Sequence, residues 1–395
     1  MAESVKVIDP NSGSGYDYTS LFDWEAAQQA DIDTSNTIAV AKCRCTGGTA
    51  DTTAVTIDGW TTSAADYIKV WTDPAESYRH NGTYQTGNKY RLQGLSTLNI
   101  KEDFVNIDGL QFYYNVQVAG SNSIDITGLS STSVTKILNC IVRGPGAFGV
   151  DSTWFGGIDA WTTSSTTICV NCIIYDFYST SSTNPTIGFG IYSYGADTKL
   201  VTYNCTAVNC TRGFERGGGT FTAKNCLAYE CYDGFADITT TYCATDLAEN
   251  LVGTGDRNSQ TFTFEGASDF HLASNDVGAL GYGLNFYNDA AYPFQTDIDG
   301  QDRGGAAASW DIGADEYVSS TAIEQEGFRH RNDDGDEATA TWKANQDMNI
   351  TLAADTAFRL RFLLKATGNP DSIDAQAEAR VKPSGGAFGA WEKIN

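Results

Sequence analysis

Carboxylates and aromatic rings crowd two stretches of this 395-residue chain, between Arg143 and Thr167 and between Ser179 and Lys199. Asp151 and Asp159 fall in the first stretch, and Asp176 follows on the next repeat unit. Hydrolysis of a glycosidic bond needs two carboxyl groups about 5–10 Å apart, flanking the bond to be cut. Trp154, Phe155, Trp161, Tyr175, Tyr178, Tyr192 and Tyr194 lie in or beside the same stretches, and such rings present a broad apolar face with, in Tyr and Trp, a polar tip. The types and spacing therefore mark Asp151, Asp159 and Asp176 as catalytic candidates. They mark the seven rings as a candidate ligand surface for a sugar.

The rest of the chain gives catalysis little further support. The Asn-Thr-Asp, Asp-Asp, Gly-His-Gly and Arg-Ile-Lys set of polygalacturonases does not occur, and none of the three histidines stands in an acid–base constellation. No phosphate loop, nucleophile elbow or nucleotide fingerprint is found, so no cofactor is expected. Cys43-Arg44-Cys45 and Cys169-Val170-Asn171-Cys172 come near zinc-ligand spacing, but no histidine or second cysteine pair accompanies them, and no metal is expected. Asp333-Asp334-Gly335-Asp336-Glu337 lacks the alternating ligands of a calcium loop and reads as a solvated turn.

The elements that must position these residues come from a repeat. Asn139-Cys140, Asn171-Cys172, Asn204-Cys205 and Asn225-Cys226 recur at spacings of 32, 33 and 21, each followed by small or apolar residues and a glycine-rich turn. Units this short bury a core only by stacking. Their Val, Ile, Thr, Tyr and Phe are strand formers without a helical period, and a coil of 21 residues holds three short strands and three turns. The extra residues of the longer units fall in turns, where added length costs little. The expected fold is all-β: a right-handed parallel β-helix in which Asn139, Asn171, Asn204 and Asn225 form a structural ladder of amides. Cys140, Cys172, Cys205 and Cys226 form an inward stack beside it. Cys210 and Cys231 continue the inward positions, and Asn106 is a further candidate for the ladder.

Around this middle, residues 1–35 read as a lead-in with a capping helix, 36–318 as the β-helix and 319–395 as a small antiparallel β-sandwich. Ser20 caps the helix, and Leu21, Trp24, Ala27 and Gln28 share its inward face. Residues 76–88 read as an exposed loop. The C-terminal region alternates as half-buried strands do, in Phe358-Arg359-Leu360-Arg361-Phe362 among others. The net charge of −24 opposes nucleic-acid binding, which needs a basic patch, and opposes an anionic membrane surface. Met1-Ala2-Glu3-Ser4-Val5-Lys6 offers no apolar core for a signal peptide.

Ser268-Asp269-Phe270-His271-Leu272, Asp297-Ile298-Asp299-Gly300-Gln301-Asp302-Arg303 and Trp310-Asp311-Ile312-Gly313-Ala314-Asp315-Glu316-Tyr317 form an ordered set. It resembles the closing coils of bacterial and phage right-handed parallel β-helix proteins. There a D-F/Y-x-L strand, a D-x-x-G-x-x-R turn and a final D-I-G-A-x-E-Y/F segment end the solenoid. The opening Glu326-Gly327-Phe328-Arg329-His330-Arg331-Asn332 with Ala340-Thr341-Trp342 resembles a module appended to phage and marine microbial surface proteins. The resemblance implies that the last segment seals the final coil, with Asp299, Asp311 or Asp315 paired to Arg303. It also implies a virion structural protein of a tailed bacteriophage, a spike, fibre or capsid-surface appendage assembled in the host cytoplasm. Such a protein would meet other virion proteins and a host surface glycan, and would be a homo-oligomer, for which a trimer is one form that such spikes take. A polysaccharide depolymerase and a bacterial surface adhesin are the alternatives.

Overall fold

The computed structural model describes residues 2–116, 120–149, 154–180, 188–248, 251–318, 322–332, 334–335, 339–351, 358–367, 378–379 and 392–393. By its internal contacts the chain divides into two units, Met1–Tyr317 and Val318–Asn395.

In the first unit the strands assemble into three parallel sheets, of nine, seven and seven strands. The chain visits them in fixed rotation. Val134–Leu138 lies in the first sheet, Ile141–Phe148 in the second and Phe155–Trp161 in the third; Thr166–Val170 then returns to the first. Residues of equal position align across coils, as in Ile124↔Ile158↔Ile191 and Phe214↔Phe235 of the third sheet. This is the expected parallel β-helix. Its core is the column of inward side chains, each worth about 1.5–3 kcal/mol when fully buried.

The corners explain the repeat. Asn139, Asn171, Asn204 and Asn225 have φ of 49°, 50°, 45° and 51°, the left-handed region that Asn tolerates better than most residues. One such residue between two strands turns the chain from the first sheet to the second. The following cysteine then points inward; Cys140, Cys172, Cys205, Cys226 and Cys243 are all fully buried. All ten cysteines are free and buried. Asn209 and Glu230, with φ of 49° and 51°, follow the second-sheet strands in the same way, while Asp176, with φ of 66°, makes a bulge within the strand Ile173–Ser179.

The ladder is real but interrupted. Asn171 Nδ2 donates to Asn139 Oδ1 (3.0 Å) and Asn225 Nδ2 to Asn204 Oδ1 (3.3 Å). Below Asn139 the rung is Asp108, whose Oδ1 accepts from Asn139 Nδ2 at 2.9 Å. Asn106 lies instead within the first-sheet strand, opposite Lys136.

The helix Leu21–Gln28 begins at Ser20, whose side chain accepts from Asp23 N at 3.0 Å. Trp24 stacks on Trp60 with centroids 5.5 Å apart. Ala27 is exposed, and Glu25 takes the expected inward place because its Oε1 accepts from Trp60 Nε1 at 3.2 Å. The lead-in also holds a strand, Ala2–Ile8, paired in parallel with Thr37–Cys43 at the edge of the first sheet.

The closing segment does not seal the end of the solenoid. Residues 262–317 run back along its flank as a strap over the corner between first and second sheets. Gly313 N donates to Asn225 O (2.8 Å) and Ala314 N to Thr206 Oγ1 (2.9 Å). Phe270 and Ile298 pack on the outward faces of Ile141, Ile173 and Val208, and Trp310 and Phe286 on Val170 and Tyr203. Those strands carry apolar residues on both faces, so their outer face needs a cover. Arg303 pairs with Glu316 (3.0 Å) rather than with the expected aspartates, and its Nη2 donates to Asn171 Oδ1 (3.1 Å) between the two halves of the ladder. The loop at residues 76–88 also packs down, with His80 buried and its Nε2 2.8 Å from Asn139 O.

In the second unit Ala322–Asn332 pairs antiparallel with Phe358–Thr367, and Glu378–Ala379 with Glu392–Lys393. Arg329, Arg331 and Arg361 lie over the Trp342 ring at 4.1, 4.8 and 5.8 Å.

Candidate functional site

In the third sheet alternation holds locally, along Ile158-Asp159-Ala160. In Phe155–Trp161 the residues Ile158 and Ala160 point into the core, so Asp159 between them points out. Register carries that outward position across the coils as Asn99, Asp125, Asp159, Tyr192 and Glu215. Neighbouring strands lie about 4.8 Å apart, so these side chains stand shoulder to shoulder.

Asn122, also outward on the strand Ser121–Thr127, ties the two aspartates together. Its Nδ2 lies 2.7 Å from Asp125 Oδ1 and 3.1 Å from Asp159 Oδ2. Asp159 is only 6% exposed, and its Oδ1 is sealed from water with no hydrogen-bond partner. Burial, and then the negative charge of Asp125, push the Asp159 carboxyl up to about 7, against the Asn122 hydrogen bond. Burial raises Asp125 as well, opposed by Asn122. At the far end of the row burial pushes Glu215 up to about 7 although Arg212 opposes it with an ion pair. Three carboxyls of one row are thus shifted toward neutrality, where a carboxyl can donate a hydrogen bond or a proton.

Rings flank the row. Phe189 stacks on Tyr192 (4.5 Å between centroids, 13° between planes), Tyr192 meets Tyr194 (5.9 Å), and Tyr194 meets both Trp161 (5.1 Å) and Trp154 (5.7 Å). Trp154, Trp161 and Tyr194 are 41%, 51% and 40% exposed. Three large rings held this open to water, beside carboxyls with unspent hydrogen-bonding capacity, form a surface suited to a polyhydroxylated ligand.

Of the residues singled out in the sequence, Asp159, Trp154, Trp161, Tyr192 and Tyr194 come together here. Asp151 lies outside the described residues. Asp176 stands at a bulge in the second-sheet strand Ile173–Ser179, where it accepts from Asn209 Nδ2 (2.8 Å) and faces Arg143 (3.9 Å); it does not join Asp159. Phe155 is fully buried against Phe148 and Phe177, because it is an inward position of its strand. Tyr175 is buried under Phe270 of the strap (5.1 Å), which removes it from any ligand surface. Tyr178 stands half-buried on the second sheet opposite Ala147. Sequence reading missed Asn122, Asp125, Phe189 and Glu215. The signal was the register of Ile124-Asp125-Ile126 over Ile158-Asp159-Ala160, which only an alignment of coils reveals.

No family model matches the chain, and no curated protein matches it. Two solved structures are similar to it. Pectin methylesterase from Aspergillus niger in deglycosylated form is 13% identical, with 67% of this chain and 91% of that chain covered and a TM-score of 0.26. The same enzyme in penultimately deglycosylated form is 12% identical over the same shares, with a TM-score of 0.29. The fold assignment of this chain rests on its own strand registers.

Proposed function

We propose that this chain is a carbohydrate-binding β-helix of the virion of a tailed bacteriophage, a spike, fibre or surface appendage that holds a host glycan on the open face of its third sheet. One observation carries the glycan reading: the half-exposed cluster of Trp154, Trp161 and Tyr194 adjoins a row of outward carboxyls whose central member, Asp159, has an oxygen without a partner. Rings supply the apolar faces on which a sugar stacks, and carboxyls accept from or donate to its hydroxyls. The virion setting draws its support from the terminal motifs and from the ten buried free thiols, which suit assembly in a reducing cytoplasm.

The test is binding to host surface polysaccharide by the full chain, wild type against Trp161→Ala. The ring is half-exposed, so the variant should keep its stability and lose about tenfold in affinity, the worth of a 1.4 kcal/mol contact. Equal affinity would refute the site; no binding to any glycan of the host surface would refute the function. Labelling purified virions with an antibody to the chain tests the setting.

A second reading is favoured by a specific feature. Asp125 and Asp159 sit in register on adjacent strands and share one amide donor, with Asp159 shifted to about 7. Two neighbouring carboxyls, one of them able to give up a proton near neutral pH, are what glycosidic cleavage requires. Release of reducing ends from that polysaccharide, lost in Asp159→Asn, would establish a depolymerase in place of a binder.

A further inference from the structure

The strap carries a second cluster that neither the core nor the ring-lined face uses. The strand Asp269–Leu272 supplies His271, the turn after Ile298 supplies Asp299, and the terminal run supplies Asp315. One imidazole nitrogen and one oxygen from each carboxylate all lie within 4.8 Å of one another. We propose that His271, Asp299 and Asp315 bind a divalent transition-metal ion, zinc by the ligand set, which clasps three segments of the strap together beside the loop at Gly82.

Four features of the geometry carry this. First, His271 is oriented as a metal-bound histidine is. Its Nδ1 lies 2.5 Å from Asp269 Oδ1, so with Nδ1–H donating to that carboxylate, the lone pair of Nε2 faces the cluster, an arrangement typical of histidine ligands and their outer partners. Second, Nε2 and Asp299 Oδ2 are 3.6 Å apart. That is beyond a good hydrogen bond but close to the roughly 3.3–3.5 Å between two ligands bound at about 2.1 Å in a tetrahedral site. Third, Asp299 Oδ1 is sealed from solvent and has no donor, and such an atom needs a cation or a proton. Fourth, Gly82, at φ +80°, keeps clear the space before Nε2; a β-carbon there would stand 2.2 Å from that nitrogen. Asp315 is 4% exposed and fixed through Oδ2 by Leu272 N (2.6 Å), so it is already held in place. One nitrogen and two oxygens suit zinc better than calcium or magnesium, which take oxygen ligands.

The alternative account of the same atoms is a protonated His271 paired with both Asp269 and Asp299. The two are separated by titrating the full chain, stripped with a chelator and dialysed, with zinc chloride in a calorimeter, and by recording its cobalt(II) absorption. The expected results are one equivalent of zinc bound, a rise in melting temperature on zinc addition, and cobalt bands without a thiolate transition, since all ligands are N and O. His271→Gln and Asp299→Asn should each abolish the binding, and Asp269→Asn should weaken it about 10–100-fold by releasing the imidazole. Absence of saturable zinc binding by the wild-type chain, with no change of melting temperature, would overturn the proposal in favour of the charged histidine. So would equal affinity in either ligand variant. The wild-type titration alone decides the matter if a variant does not fold.

Discussion

Replacing Arg303 with Met asks what holds the strap to the solenoid. The guanidinium is 1% exposed. It donates through Nη1 to Glu316 Oε2 at 3.0 Å, and through Nη2 to Asn171 Oδ1 (3.1 Å), Gly313 O (3.1 Å) and Ala314 O (2.6 Å). Methionine replaces much of the apolar stem, which keeps the cavity term small. The loss is then electrostatic. Breaking a buried pair from one side costs about 3–5 kcal/mol. Each buried acceptor stripped of its donor costs roughly 1–3 kcal/mol, but these contributions overlap with the first. A total of about 4 kcal/mol is expected. Phe270, Phe286 and Trp310 keep their apolar contacts, so the strap should open locally while the coils persist.

Hydrogen exchange at Gly313 and Ala314 reads this directly, because their amides donate to Asn225 O and Thr206 Oγ1 of the solenoid. A loss of 4 kcal/mol corresponds to exchange faster by about a thousandfold. The double variant Arg303→Met/Glu316→Gln should recover part of the loss by removing the uncompensated carboxylate, which is 8% exposed in the wild type. Exchange less than about tenfold faster in the single variant, or a double variant no better than the single, would mean that the charge pair contributes little and that the rings hold the strap.

Three further outcomes are expected. Asp159 stands near 7 in the folded chain, above its ordinary value of about 4. Its contribution to stability is therefore complete below about pH 4 and declines as pH rises through 7, and Asp159→Asn should flatten denaturation midpoints across that window; an unchanged pH profile would disprove the shift. None of the ten cysteines should react with a thiol reagent in the native chain and all ten should react in denaturant, because each is free and buried; fast native labelling would contradict the inward columns. Asn204 is fully buried at φ 45° and donates to Asp311 O and Gly313 O, both at 3.0 Å. Asn204→Gly should lose roughly 2 kcal/mol in urea midpoints and Asn204→Ala about 1 kcal/mol more for the left-handed backbone; equal losses would remove the backbone contribution.

The corner residues were legible because one local requirement recurs. A left-handed residue followed by a small apolar one turns the chain and fills the core, and Asn-Cys meets both needs within two positions. The ring-bearing stretches were legible for the same reason, since extra residues in a coil emerge at its surface. The strap was not. Its motif reads as one more coil, and its true docking site is written elsewhere, in the strands Ile141–Phe148, Ile173–Ser179 and Leu227–Tyr229. Both faces of those strands are apolar at Ile141-Val142, Ile173-Ile174 and Leu227-Ala228. Such runs announce that something covers the second sheet, but not which segment does.

That difference between the sheets decides where a ligand can bind. The strap lies over the corner of the first and second sheets with Phe270, Phe286 and Trp310, so Tyr175 and the outward isoleucines there are spent on stability. Among the described residues the third sheet has no such apolar outer row: Asp125, Asp159, Tyr192 and Glu215 occupy those positions. Carboxyls half removed from water there cost stability, as their upward shifts show, and no element of the core requires them. Asp159 stood out in the sequence because it neighbours two tryptophans; Asp125 and Glu215 did not, because they reach it only across coils of unequal length. A row of acids shifted toward neutrality, retained on the sheet the strap leaves uncovered, is the pattern of a surface kept for binding rather than for folding.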